Sequence, residues 1–408
     1  MQYSVPPHVQ PPTPSSPGAR QDMFEQRLCQ LEQQHLLRRL RTIESASEAE
    51  VTLEGRPVIL MASNNYLGLA THPALKRAAI QATERFGVGA GAARLVSGTL
   101  PPHEELETTL AKFKGTEAAL AFGSGYLANL GVIPALIGAG GLIFADRLCH
   151  ASLIDGCRLS GASLRVYRHN DVAHLKSLLA RRPSKRDTLI VTDGVFSMDG
   201  DLAPLPDLIE LADRYNARLF VDDAHGTGVM GAQGRGTIEH FGLESRIPFH
   251  MGTLGKALGT SGAYVVGPSA MIQYLINTAR TFLFATAPPP ATAAAAIAGL
   301  QVLRNEPERR VRLWENRQYL HAGLTRLGFR LTGSASPILP IVVGNAQKAV
   351  AMADRLLELG VYAPAIRPPT VPKNPSRIRV TVTSEHSRTQ LDRALEAFGQ
   401  AGREVRVC

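Results

Sequence analysis

With 408 residues, 44% of them hydrophobic and 19% charged, the chain has the length and balance of a soluble globular protein large enough for two lobes. Its four scattered cysteines (Cys29, Cys149, Cys157, Cys408) contain no C-x-x-C pair, which argues against a disulfide scaffold or a zinc site and fits a reducing, cytoplasmic setting. A net charge of +9 suits either the steering of anionic substrates or non-specific attraction to nucleic acid.

Residues 1–20 are rich in proline and lack an apolar signal core, so a disordered tail is expected there, neither secretory signal nor membrane anchor. Residues 21–60 are expected to form an N-terminal helix and a hairpin. Spaced leucines predict an amphipathic helix over 22–44, which includes the basic run Arg38–Arg41. Glu54-Gly55-Arg56 between two apolar runs predicts a hairpin over Val51–Met61.

Residues 61–300 are expected to form a large α/β domain. Helical segments (74–86, 103–114, 125–138, 171–181, 207–216) alternate with buried-strand runs at Ala118–Phe122, Leu142–Ala145, Leu164–Tyr167, Thr188–Asp193, Ala217–Asp222, Ile247–Met251 and Tyr264–Gly267. That alternation predicts a mostly parallel sheet with helices on both faces. The uncharged stretch Ala119–Ala145 superficially suggests a membrane span, but its glycines and Pro134 break it into short soluble-core elements. An alanine-rich helix follows Pro288-Pro289-Pro290, and residues 301–408 read as a smaller α+β lobe.

In such a sheet a ligand sits beyond the carboxyl ends of the strands, and polar residues follow several strand runs here. Gly123-Ser124-Gly125-Tyr126 leads into a helix, where free N–H groups could cradle a phosphate; a plain tight turn is the equal alternative. Asp222-Asp223-Ala224-His225 offers a carboxylate for a ring nitrogen or a helix cap, and lacks the further ligands a metal would need. Lys256 lies among Gly, Ala and Leu, with no other charge from Arg246 to Arg280. It is either a desolvated, nucleophilic amine or a snorkelling helix residue. Gly87–Ala92 mimics a dinucleotide-binding loop, but a helical run rather than a strand precedes it.

Taken together, residues from Asn64 to Thr383 resemble the α-oxoamine synthases, pyridoxal-phosphate enzymes of the aspartate-aminotransferase fold type (fold type I). The motifs that carry the likeness are SNNYLGL (63–69), GAGAARLVSGT (89–99), HEELE (103–107), FGSGYLAN (122–129), DRLCHASLIDG (146–156), DGVFSMDGD (193–201), VDDAHGTGVMG (221–231), GTLGKALG (252–259), RTFLFATAPPP (280–290) and IRPPTVP (366–372). The resemblance implies pyridoxal 5'-phosphate as cofactor, Lys256 as its Schiff-base lysine and Asp222 as partner of the ring nitrogen. It implies further that His225 bonds the phenolic oxygen and His150 stacks on the ring. Ser197 belongs to the same pocket, and Ser124, Gly125, Tyr126 and Thr253 surround the cofactor and its phosphate. Thr286 would reach that phosphate from a neighbouring subunit, making a homodimer with shared sites. Arg367 would hold the amino-acid carboxylate and Asn64 would line the substrate pocket.

The activity implied is decarboxylative condensation of L-alanine with a pimeloyl thioester carried on coenzyme A or acyl-carrier protein. A sister activity with glycine or serine and another acyl thioester shares every cofactor motif. Neither a membrane nor nucleic acid is expected as a partner, since a DNA-binding regulator of this fold would need a helix-turn-helix module, for which 20 residues are too few.

Overall fold

The computed structural model describes residues 17–183, 185–333, 335–368, 370–371 and 375–408. The tail expected to be disordered lies outside the described residues as far as Ser16. From Pro17 the chain is helical to Gln33. The first helix therefore stops well short of residue 44. His35 takes a left-handed φ of 54°, and the N–H groups of Leu36 and Leu37 both turn back to the Leu31 carbonyl. The chain then crosses to the C-terminal lobe. There Arg367 donates to the His35 and Leu37 carbonyls, and Arg38 donates to the Pro368 carbonyl at 2.9 Å. Tertiary contacts have overridden helix propensity along this segment.

The hairpin forms as expected from β1 (Glu50–Leu53) and β2 (Arg56–Leu60). Glu54 and Gly55 have φ of 52° and 73°, the double positive φ of a type I′ turn that matches strand twist. Val51, Leu53, Val58 and Leu60 bury one face as a small cluster.

The main sheet comprises β3 (Ala118–Phe122), β4 (Leu142–Asp146), β5 (Ser163–Tyr167), β6 (Thr188–Asp193), β7 (Arg218–Asp222), β8 (His250–Thr253) and β9 (Ala263–Gly267), in the order β3-β9-β8-β7-β6-β4-β5. All adjacent pairs are parallel except those made by β9. The strand expected over 247–251 starts only at His250, because Pro248 has no N–H to contribute to a central ladder.

Alternate strand residues feed opposite faces. Ile143, Val191, Phe220 and Met251 pack with Val132 and Leu153 from the helices Gly125–Leu136 and Ala151–Leu159. Phe144, Ile190 and Val221 pack on the other face with Leu175 and Leu208, from the helices Val172–Ala180 and Leu205–Arg214. Each such fully buried side chain stabilises the fold by about 1.5–3 kcal/mol.

The helix Pro290–Asn305 packs on the helices Pro73–Phe86 and Pro101–Lys114. Beyond it, β10 (Ile338–Gly344), β12 (Ala365–Ile366) and β13 (Ser376–Thr381) make an antiparallel sheet with β13 in the centre, while β11 (Val361–Tyr362) runs parallel to β2. β13 is buried along its whole length and carries two arginines into the interior.

Candidate active site

The strand ends of the main sheet converge on one site. Phe122 ends β3, Asp193 ends β6, Asp222 ends β7 and Thr253 ends β8. The Asp222 carboxylate accepts from Asn129 Nδ2 at 2.8 Å and from the Ala224 N–H at 3.0 Å. Asn129 also donates to Ser152 Oγ at 2.8 Å, and Ser152 Oγ lies 2.7 Å from His150 Nδ1. The Ser152 N–H points at the same nitrogen, which therefore accepts, and the ring proton sits on Nε2. One buried amide thus ties the Asp222 and His150 groups together. Burial holds His150 below its ordinary pKa, against the pull of Asp222. Its backbone N–H is anchored 2.8 Å from the carboxylate of Asp193. Burial, and then the neighbouring Asp222 charge, drive the pKa of Asp193 well up.

Lys256 follows β8 in a tight turn, in which Thr253 Oγ1 accepts from the Gly255 N–H at 3.2 Å and donates to the Gly262 carbonyl at 3.0 Å. The turn closes on Gly259, where φ is 67° and a Cβ would lie 2.4 Å from the Leu69 carbonyl carbon, so no other residue fits. Among the described residues Lys256 Nζ has no hydrogen-bond partner, and the side chain is half-buried. Burial, with Arg379 adding repulsion, lowers its pKa to about 8 although Asp222 and Asp193 pull the other way. The isolated amine read from the sequence is therefore a desolvated amine beside a carboxylate, not a snorkelling surface residue.

His225 is fully enclosed, and burial holds its pKa far below the ordinary value. Its Nδ1 lies 2.8 Å from the Tyr66 hydroxyl, which also reaches Asn64 Oδ1 at 3.3 Å. Asn64 Oδ1 in turn accepts from Arg379 at 3.1 Å, and Arg379 Nε donates to the Ser197 carbonyl at 2.5 Å. Ser124 caps the helix Gly125–Leu136, accepting from Leu127 N at 3.2 Å, which leaves the Gly125 and Tyr126 N–H groups without helix partners. The Tyr126 hydroxyl is turned outward to Asp155. Thr286 is exposed on a loop bridged to Ala93.

Arg367 does not join this cluster. Its guanidinium is spent on the His35 and Leu37 carbonyls, beside a cavity of about 690 Å³ also lined by Arg38, Arg39 and Arg41. The arginine beside Lys256, His225 and Asn64 is Arg379, on buried β13. Sequence reasoning passed over it, along with Asn129, Tyr66 and Asp193. Two signals were present: an amide inside the uncharged stretch 119–145, and the alternation Arg377-Ile378-Arg379-Val380, which sets two arginines on one face of a strand.

This donor set fits pyridoxal 5'-phosphate. A helix N-terminus with two uncommitted N–H groups suits a phosphate, a fixed strand-end carboxylate suits a ring nitrogen, and a desolvated amine suits an aldehyde. Fold and site together define a pyridoxal-phosphate enzyme of fold type I.

The comparisons make the assignment narrower. Residues 56–398 match the family Aminotransferase class I and II. The chain is 51% identical over 383 residues to an 8-amino-7-oxononanoate synthase of Geobacter sulfurreducens, covering 93% of this chain and 98% of that one. It is 48% identical over 385 residues to one of Symbiobacterium thermophilum, covering 94% and 98%. Among solved structures, serine palmitoyltransferase from S. paucimobilis with bound PLP-myriocin aldimine aligns at a TM-score of 0.92 and 34% identity, over 97% of this chain and all of that one. An 8-amino-7-oxononanoate synthase from Francisella tularensis aligns at 0.74 and 31%, over 86% and 99%. The chain belongs to the class I and II aminotransferase family and, within it, to the α-oxoamine synthases, pyridoxal-phosphate-dependent acyltransferases. No helix among the described residues is long and apolar enough to cross a membrane.

The lowered pKa of Lys256 has a measurable consequence. Only the neutral amine attacks an aldehyde, so if Lys256 is the amine that takes the cofactor, its attachment to cofactor-free protein should quicken as pH rises and level off above about 8. Stopped-flow absorbance across pH 6 to 10 (roughly two units either side of that value) checks this; an inflection near the ordinary lysine value would show that the amine is solvated.

Proposed function

We propose that the chain condenses L-alanine with a pimeloyl thioester to give 8-amino-7-oxononanoate, carbon dioxide and a free thiol, the step that belongs to biotin biosynthesis. The observation that carries this reading is the buried Arg379 guanidinium beside the half-buried Lys256 amine, a place for an amino-acid carboxylate next to a base. Likeness to 8-amino-7-oxononanoate synthases at 46–51% identity over nearly the whole chain favours alanine and the pimeloyl group. The cavity of Arg38, Arg39, Arg41 and Arg367 adds support, since its apolar wall (Leu37, Val350, Leu357) and arginine rim suit an acyl chain that ends in a carboxylate.

The reaction joins alanine Cα to the thioester carbonyl carbon and breaks the C–S bond, so the thiol departs with a proton. The bond from Cα to the carboxyl group then breaks, carbon dioxide leaves, and a proton returns to Cα. Pyridoxal phosphate, when bound, supplies the electron sink for the charge left at Cα. Arg379, steadied by the Ser197 carbonyl and Asn64, holds the alanine carboxylate. Lys256 Nζ takes the Cα proton and later returns one, a role suited to an amine whose pKa burial lowers to about 8. Asp222, fixed by Asn129 and the Ala224 N–H, would hold the ring nitrogen; His225 with Tyr66 would hold the phenolic oxygen, and His150 would cover the ring. The Ser124 hydroxyl and the Gly125 and Tyr126 N–H groups would hold the phosphate, and Thr253, whose hydroxyl proton goes to the Gly262 carbonyl, would line the cofactor pocket.

A cytoplasmic homodimer is part of this proposal. Val88, Leu95, Val96 and Phe284 are large exposed hydrophobics on the two segments bridged at Ala93 and Thr286, and a second subunit would cover them and bring Thr286 to its neighbour's phosphate.

The alignment with serine palmitoyltransferase favours one second reading, serine with a longer acyl thioester. A panel of alanine, glycine and serine against pimeloyl, acetyl and palmitoyl thioesters separates the two. The alanine–pimeloyl pair should have the highest kcat/KM, and no turnover of that pair would sink the proposal.

A further inference from the structure

His169 has no part in the site described above, yet its ring is gripped on both sides. Nδ1 lies 2.9 Å from Asp146 Oδ1, and Nε2 lies 2.8 Å from Asp201 Oδ2. Ionised carboxylates only accept, so both ring nitrogens carry hydrogens. Burial opposes the charge, but the hydrogen bonds and charges of Asp146 and Asp201 outweigh it and raise the pKa to about 9.

Each carboxylate belongs to a different strand-exit loop. Asp146 ends β4 and accepts from the N–H groups of Leu148 and Asn170, both at 2.8 Å, which shapes the turn leading to His150. Asp201 closes the loop that leaves β6: its carbonyl accepts from Phe196 N at 3.0 Å, and Val195 bridges Leu202 beside it. Ser197, inside that loop, supplies the carbonyl that receives Arg379. The third loop, leaving β5, carries His169 itself. It also carries Asn170, whose φ is 51° and whose Nδ2 donates to Asp201 Oδ2 at 2.9 Å and to the Leu202 carbonyl at 3.1 Å. The Phe196 ring meets the imidazole edge-on at 4.5 Å. Three loops, two of which carry candidate site residues, are therefore pinned at one ring.

We propose that His169 is a positioning residue for the amino-acid substrate. Its two hydrogen bonds fix the Ser197 loop, and through the Ser197 carbonyl the Arg379 guanidinium, relative to the His150 loop. The proposal rests on the reading of Arg379 as the carboxylate holder. A pin that served stability alone would change the melting temperature and leave amino-acid affinity untouched. A positioning residue changes affinity in protein that is still folded and loaded.

The test uses pyridoxal-phosphate-loaded wild type and His169→Gln. Glutamine can donate to one carboxylate but turns its own carbonyl toward the other. Both proteins are titrated with L-alanine, glycine and L-serine while the cofactor absorbance is followed, and the KM for the thioester is measured alongside. The variant should keep the cofactor band, bind the amino acid about tenfold more weakly, and leave the thioester KM within about twofold. Amino-acid affinity within about twofold of wild type would overturn the inference and leave the condensation reading standing. If His169→Gln does not fold, Asp201→Asn keeps an acceptor for Nε2–H but removes the charge. It should weaken amino-acid binding about threefold, and unchanged affinity there overturns the inference equally. A wild-type response to serine or glycine but not alanine defeats the substrate assignment, and His169 is then judged on that amino acid. No response to any of the three removes the role of Arg379 and this inference with it.

Discussion

Replacing Lys256 with alanine should abolish condensation, lowering kcat by about 10⁴-fold or more, because in the proposed mechanism one nitrogen would both anchor the cofactor and move the proton at Cα. The neighbours of Lys256 cannot substitute for it. Burial keeps His150 and His225 below their ordinary pKa values, and Asp222 is committed to Asn129 and the Ala224 N–H. The purified variant should also lose the visible absorbance that wild type shows after incubation with pyridoxal phosphate and dialysis. Retention of more than about a hundredth of wild-type kcat would mean that another group carries the proton.

The second large effect falls on Arg379. Arg379→Ala should lower kcat/KM for the amino acid by about 10²–10⁴-fold, since in the proposed site a carboxylate would then be buried with no partner, a loss of about 3–5 kcal/mol. Arg379→Lys should recover only part of this. A lysine cannot reach the Ser197 carbonyl and Asn64 Oδ1 with one planar fork. Arg367→Ala should leave the amino-acid KM unchanged and raise the KM for the pimeloyl thioester instead, because Arg367 lies with Arg38, Arg39 and Arg41 around a separate cavity. Steady-state kinetics with each substrate varied in turn distinguishes the two arginines. The opposite split would return Arg367 to the role expected of it from the sequence.

The contrast between these arginines shows where sequence is legible. Strands β3 and β6 were readable to the residue, because their runs of Val, Ile, Leu and Ala are buried on both faces and bounded by turn residues. The candidate polar residues stood out for a related reason: Ser124, His150 and Lys256 follow β3, β4 and β8, and Asp222 ends β7, at the strand ends where a mostly parallel sheet gathers a ligand site. Arg379 lies instead on a strand of the C-terminal sheet, and nothing in the local pattern says that β13 is buried end to end against the larger sheet's loops. Asn129 was hidden in the same way, inside a helix whose apolar character marks it as core. Arg367 sits in a conspicuous motif, but its direction depends on the segment after Gln33, whose course is set by long-range contacts with residues 367 and 368.

The most direct test of the central claim is an isotope balance. L-alanine labelled in its carboxyl carbon is incubated with pimeloyl-coenzyme A and the loaded enzyme, and labelled carbon dioxide and free thiol are measured together. Decarboxylative condensation at Lys256 predicts that the two appear in equal amounts, along with an unlabelled product of the mass of 8-amino-7-oxononanoate, and that none of the three appears with Lys256→Ala. Thiol release without labelled carbon dioxide, or the same balance met by serine and not by alanine, would contradict the account.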